Sequence, residues 1–162
     1  MKYLILLAFS FFAGCYAKTA IKTGLEGKPV PSFDLILPDS TSYLNTRNSL
    51  TGRPVVLFYF GPHCPYSRTQ MNDIILNIAA LKNIQFYIFT NWPFKDMKEF
   101  YNNYQLNRYP NITTGQDFKN YFTNYFNAQG VPYIAVYGKD KLLNKVFVGK
   151  TDIEQIRQGA EE

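Results

Sequence analysis

The sequence predicts an α/β protein: a central mixed β-sheet flanked by helices, with an N-terminal β-hairpin extension. Three observations carry this. Residues 55–60 and 84–89 are continuous β-branched and aromatic runs, the pattern of strands buried on both faces. Helix-spaced apolar residues separate and follow them. Two further strand-like segments, 133–137 and 142–148, meet at Gly138-Lys139-Asp140, a hairpin turn. Strands alternating with helices and ending in a hairpin require a mixed sheet covered on both sides. The chain has 162 residues, enough for one domain with a sizeable core, and 46% of them are hydrophobic, which excludes wholesale disorder.

Residues 1–17 are expected to be an address rather than part of the fold. Lys2 precedes an apolar run, residues 3–13, that is too short to span a bilayer, the layout of a secretory signal peptide. Its end reads in two ways. Phe12-Ala13-Gly14-Cys15 resembles a bacterial lipobox, in which Cys15 becomes the lipidated first residue and anchors the chain to a membrane, although Phe12 departs from the usual aliphatic residue. Cys15-Tyr16-Ala17 fits the small-x-small rule for cleavage after Ala17. On either reading the chain is exported, to a bacterial periplasm. Cys15 then belongs to export and Cys64 is the thiol left for chemistry.

Residues 18–28 are polar and read as a tether, followed by a domain over 29–159. A short strand over 33–37 turns at Pro38-Asp39-Ser40 and pairs with 42–44. The buried strand 55–60 is broken by Gly61-Pro62-His63-Cys64-Pro65. Met71, Ile74, Ile75, Ile78 and Leu81 then mark one face of a helix. The strand 84–89 stops at Asn91-Trp92-Pro93, and Met97, Phe100, Tyr101 and Tyr104 mark a second helix. Residues 109–115 read as a loop. Phe118, Tyr121, Phe122, Tyr125 and Phe126 fall at i, i+3, i+4, i+7 and i+8, an amphipathic helix whose stripe is expected in the core. Gly130-Val131-Pro132 leads into the strand 133–137, residues 142–148 pair back antiparallel, and a helix over 152–158 closes the chain with Asp152 as its N-cap.

Several function classes are excluded. The net charge is +5, but the basic residues are scattered and no nucleic-acid motif accompanies them, so no nucleic-acid partner is expected. Two cysteines and one histidine make neither a disulfide scaffold nor a structural zinc site. No phosphate loop, metal-ligand cluster or paired carboxylates are present, and no cofactor or metal is expected.

Cys64 stands where a buried strand ends and a helix begins. Pro65 suits the first helical position, where its missing N–H costs nothing, so Cys64 is the N-cap. A capping sulfur would accept hydrogen bonds from the N–H groups of Tyr66 and Ser67 and lie in the positive end of the helix dipole. Both effects favour thiolate, so the position predicts a lowered pKa and a reactive sulfur.

The segment Phe58-Tyr59-Phe60-Gly61-Pro62-His63-Cys64-Pro65-Tyr66-Ser67 resembles the active-site segment of thioredoxin-fold proteins, with C-P-Y-S in place of C-x-x-C. Gly130-Val131-Pro132 resembles the family's cis-proline loop. Gly27-Lys28-Pro29-Val30-Pro31-Ser32-Phe33 is similar to the leading hairpin of the TlpA/ResA-type exported thioredoxins and the AhpC/TSA peroxiredoxins. The resemblance implies a thioredoxin-like fold over roughly residues 27–158. It implies that Cys64 is the nucleophile, that Pro132 is cis against it, and that Val131 offers backbone groups to a bound peptide or mixed disulfide. Pro65 and Tyr66 would face the substrate. His63 stands where thioredoxins usually have tryptophan, and a nearby imidazolium would stabilise a thiolate.

The departures decide the mechanism. Ser67 occupies the position of the family's resolving cysteine, and a hydroxyl cannot form the S–S bond that releases a mixed disulfide. Ser67 is left to hydrogen-bond the thiolate. The site then resembles monothiol glutaredoxins, with a protein or small-molecule thiol supplied in trans. Peroxiredoxins carry Thr or Ser three residues before the cysteine to orient the peroxide, and Gly61 stands there, so peroxidase chemistry is disfavoured. The expectation is an exported monothiol oxidoreductase, with a thioredoxin-fold binding module lacking redox turnover as the alternative.

Overall fold

The computed structural model describes residues 19–48 and 52–162, so the segment read as a signal peptide, with Cys15, lies outside the described residues. Within them the sheet grows outward from Val55–Tyr59 (β3), in which every residue is buried. Strand side chains alternate between faces. Val56 and Phe58, with Phe60 beyond the strand end, enter one core, shared with Met71, Ile74, Met97, Phe100 and Ile156. Val55, Leu57 and Tyr59 enter the other, shared with Val30, Phe33, Phe122 and Phe126. A strand buried on both faces must be apolar throughout, which is why this run carries no charged or amide side chain.

The elements run in the expected order except for one added strand, Ile112–Gln116. Asp34–Ile36 (β1) and Tyr43–Asn45 (β2) form the leading hairpin. After β3 come Pro65–Leu76 (α1), Gln85–Thr90 (β4) and Phe94–Asn103 (α2). A 3₁₀ turn at Leu106–Arg108, Ile112–Gln116 (β5) and Tyr121–Phe126 (α3) follow. Tyr133–Tyr137 (β6), Leu143–Val148 (β7) and Ile153–Glu161 (α4) close the chain. The seven strands lie in the order β2-β1-β5-β4-β3-β6-β7. β3 pairs parallel with β4 and antiparallel with β6, and β4 pairs parallel with β5. The sheet is therefore mixed, and the parallel strands point their C-terminal ends at the loop holding Cys64.

Three segments differ from expectation. Residues 109–115, read as a loop, hold the start and most of β5. Pro110-Asn111 and two threonines disguise it, but Asn111 Nδ2 donates to Leu81 O and Ile84 O and so turns the chain into the sheet. Gly115 is required there, since a Cβ would lie 2.8 Å from Leu35 Cβ and 2.9 Å from Ile36 O. The aromatic helix begins only at Tyr121. The buried Asp117 carboxylate accepts the N–H groups of Tyr121 and Phe122 at 3.0 and 2.8 Å and fixes that start. Phe122 and Phe126 are core residues, whereas Phe118 and Tyr121 are 37% and 36% exposed.

The third difference is the segment read as a tether. Ile21 N–H donates to Val146 O, Gly27 N–H donates to Leu143 O, and Leu143 N–H donates to Lys28 O, at 2.8–2.9 Å. The segment thus straps the outer edge of β7, satisfying backbone groups that an edge strand otherwise leaves open. At the other terminus, Asp152 occupies the N-cap of α4, but its side chain makes no capping hydrogen bond.

Candidate functional site

β3 delivers the chain to a tight turn. Phe60 is fully buried and its N–H donates to Phe89 O at 3.0 Å. Cys64 N–H then closes on Gly61 O at 3.0 Å, and Arg68 N–H donates to Cys64 O at 3.1 Å as the first helical bond of α1. Cys64 is the N-cap, with φ −77° and ψ 121°, and Pro65 opens the helix. The position is as expected, but the capping bonds are not made. The Cys64 thiol instead points across the turn and donates to Val131 O, with Sγ···O 3.6 Å. The group facing the sulfur is a backbone carbonyl rather than two backbone N–H groups.

The Val131–Pro132 peptide is cis, and Pro132 is buried while Val131 is partly exposed. The structure therefore brings Cys64 and Val131 together from positions 67 residues apart. Gly61 permits this approach. A Cβ there would lie 2.8 Å from Val131 Cγ2 and 3.2 Å from Cys64 Cβ. A threonine or serine at 61, as a peroxide-orienting hydroxyl would need, has no room without displacing the Val131 side chain or its loop.

Ser67 is fully buried, and its Oγ accepts the Gly61 N–H at 3.2 Å. Its hydroxyl therefore holds the turn from inside and is not hydrogen-bonded to the sulfur, contrary to expectation. Cys64 is the only cysteine among the described residues and is free.

His63 is exposed and turns toward the end of β4 and the first turn of α2. Its Nε2 lies 3.8 Å from Asp96 Oδ1, and its ring meets Trp92 edge-on at 5.4 Å. Trp92 is held by its backbone: its N–H donates to Thr90 Oγ1 at 3.2 Å, and its carbonyl accepts Gln116 Nε2 at 2.8 Å. Tyr66 is 63% exposed and Trp92 42% exposed, so two large rings face solvent in this part of the molecule. Beside them lies a cleft of about 180 Å³ lined by Pro62, His63, Arg68, Asp96, Phe100 and Tyr104. Arg68 Nε donates to Pro62 O at 2.9 Å, which pins that wall of the loop. Trp92 and Asp96 were not anticipated as site residues. The available signal was the chain's single tryptophan, standing at the end of a buried strand beside a proline.

Two tyrosines flank the tight side. Tyr59 and Tyr133 are partners in the β3–β6 register. Burial pushes Tyr59 up to about 12, with the Asp117 charge adding to it, and its hydroxyl donates to Asn91 Oδ1 at 2.6 Å. Burial likewise pushes Tyr133 up to about 12, with a smaller contribution from Glu26. Among the described residues, no three or more His, Cys, Asp or Glu side chains converge as a metal site would require.

No protein-family model matches the chain, and no curated protein is similar to it. Solved structures are. A proposed thiol:disulfide interchange protein DsbE from Chlorobium tepidum is 18% identical, with a TM-score of 0.66 over 83% of this chain and 94% of that one. A proposed thioredoxin from Neisseria meningitidis is 22% identical, with a TM-score of 0.64 over 88% and 87%. A secreted disulfide oxidoreductase from Mycobacterium tuberculosis, homologous to E. coli DsbE, is 20% identical, with a TM-score of 0.62 over 78% and 91%. With the seven-stranded mixed sheet, the cis proline and the cysteine at the helix start, these likenesses identify the architecture: the chain has a thioredoxin-like fold.

Proposed function

We propose that this chain is an exported thiol oxidoreductase of the TlpA/ResA type that works with one sulfur, Cys64 as nucleophile and the resolving thiol supplied in trans. The observation that carries the reading is the pair Cys64 and Ser67. The first is a free thiol at the lip of the site, and the second is a buried hydroxyl, its oxygen accepting the Gly61 N–H, where a second sulfur would stand. The Cys64 thiolate attacks a partner disulfide, one partner sulfur leaves as a thiolate, and Cys64 becomes a mixed disulfide. A thiolate from a protein or small molecule then attacks the partner's sulfur in that bond. Cys64 leaves as thiolate, and the partner's sulfur is again part of a disulfide, now with the incoming thiol. The Val131 carbonyl that meets the sulfur, the cis Val131–Pro132 peptide and the exposed Tyr66 two residues beyond Cys64 support this as groups available to a peptide. Disulfide oxidoreductases among the structural neighbours favour the same chemistry.

The hydrogen bond from the Cys64 thiol to Val131 O supports a second reading, a binding module that holds a partner segment without turnover. One experiment separates the two. Exported protein from alkylation-quenched cells is analysed by mass spectrometry, for the wild type and for Cys64→Ser. The redox reading expects Cys64 linked to a partner sulfur in the wild type and no covalent adduct in the variant. Capture of the same partners by Cys64→Ser, with wild-type Cys64 always free, would establish the binding module instead. The same spectra report whether Cys15 carries lipid or has been removed.

A further inference from the structure

Gln70 is a buried polar residue that the thiol chemistry does not use, yet its contacts reach both halves of the site. It lies on α1, six residues after Cys64, and is fully buried. Its Oε1 accepts the Thr151 N–H at 2.7 Å, from the turn joining β7 to α4. Within that turn, Thr151 Oγ1 donates to Gly149 O at 3.2 Å. Gly149 N–H donates in turn to Pro132 O at 2.7 Å. Gly149 has φ +84°, a left-handed conformation that glycine adopts freely. On the surface, Lys150 Nζ pairs with Asp73 Oδ2 at 3.0 Å, a second link from the same turn to α1. Residues 149–151 are therefore bonded in one direction to the helix that carries Cys64. In the other they are bonded to the carbonyl of the cis proline whose neighbour, Val131, receives the Cys64 thiol.

The other end of Gln70 makes no such connection: its Nε2 is buried with no hydrogen-bond partner among the described residues. A buried amide N–H left unpaired is unfavourable, so the group the fold uses here is the oxygen. An acceptor at this spot, rather than an amide as such, is what joins the turn to the helix.

We propose that Gln70 is a positioning residue: through Thr151 and Gly149 it couples α1 to the Val131–Pro132 loop and sets where Val131 stands relative to Cys64. The consequence for exchange with a peptide rests on the thiol-oxidoreductase reading; the coupling itself does not. Two variants isolate it. Gln70→Leu removes the acceptor at similar volume. Gln70→Glu keeps an acceptor oxygen and, when protonated, places a hydroxyl where Nε2 makes no bond.

The first measurement is amide hydrogen exchange on the exported chain. In Gln70→Leu, the Thr151 and Gly149 amides lose protection by about tenfold or more while the β3–β4 ladder keeps its own, and Gln70→Glu restores both. The second is a pair of rates at Cys64. Alkylation by iodoacetamide changes less than about twofold. Reaction with a short peptide joined through its cysteine to thionitrobenzoate, which leaves as the peptide disulfide forms on Cys64, slows about tenfold through a raised KM. A Gly149 amide still protected in Gln70→Leu overturns the coupling, whatever Cys64 does. Lost protection with unchanged peptide kinetics overturns the positioning role. A wild-type Cys64 that exchanges with no disulfide defeats the redox reading, and the hydrogen-exchange result still decides the coupling.

Discussion

Cys64 stands between two walls built from different material. On one side Gly61, Val131 and Pro132 meet with no spare volume, and Ser67 and the β3–β6 pair of Tyr59 and Tyr133 back them from within. On the other side His63, Trp92 and Asp96 face solvent across a charged cleft. The difference teaches where each kind of tolerance lies. The tight wall fixes the sulfur and cannot change shape without moving the turn. The open wall carries exposed side chains and can change without moving the turn.

Ser67→Cys should have the largest effect, because it puts a second sulfur behind the first. The expected outcome is self-resolved chemistry: oxidised protein carries an internal disulfide between Cys64 and the introduced thiol, and the mixed disulfides that the proposed function expects of the wild type do not accumulate. Mass spectrometry after oxidation with a small disulfide reads this directly. Persistence of partner adducts at wild-type levels would show that position 67 does not control resolution.

Gly61→Ala comes next and tests the tight wall alone. The added Cβ would approach Val131 Cγ2 to 2.8 Å, so the Val131 side chain or its loop must shift. Overpacking of this kind costs about 1–3 kcal/mol. Thermal or urea unfolding should show that loss, and iodoacetamide labelling of Cys64 should change with it. A variant of wild-type stability would mean that the two loops are not in firm contact.

The same wall carries a pH dependence. Tyr59 and Tyr133 are both pushed up to about 12, chiefly by burial. Unfolded tyrosines ionise near pH ~10. Between roughly pH 10 and 12 the unfolded chain therefore releases protons that the folded chain retains, and stability falls as pH rises. Below about pH 10 the contribution is fully present. Denaturation midpoints across this window should decline, and Tyr133→Phe should decline less. A flat profile would show that these hydroxyls are not held away from water.

Asp96→Asn should have the smallest effect on the fold. The His63–Asp96 contact is 3.8 Å long and His63 is more than half exposed, so stability should change by no more than about 0.5 kcal/mol. A loss above about 2 kcal/mol in urea unfolding would mean that the open wall is as structural as the tight one.

The sequence carried most of the fold because the buried strands are unambiguous: residues 55–59 and 85–90 have no exposed position, and nothing else satisfies such runs. β5 was illegible because its burial depends on partners far away in sequence, β1 and β4, while its own residues include two threonines and a glycine. The strap was illegible for a related reason. Its contacts with β7 are backbone hydrogen bonds, which any residue but proline can donate. At the site, the helix-capping position of Cys64 was legible from Pro65, but the direction of the thiol was not. That depends on Val131 O, placed by a loop 67 residues away. Ser67 showed the opposite: its identity announced a missing sulfur, and only the structure shows that its oxygen accepts the Gly61 N–H.

The strap along β7 has a consequence for assembly. The tether expected over residues 18–28 is held to the domain from residue 20 onward, with Ala20 packed on the core and Ile21 fastened to Val146. An edge occupied in this way is closed to strand addition, so a further strand could join this side of the sheet only after residues 21–28 had been peeled away.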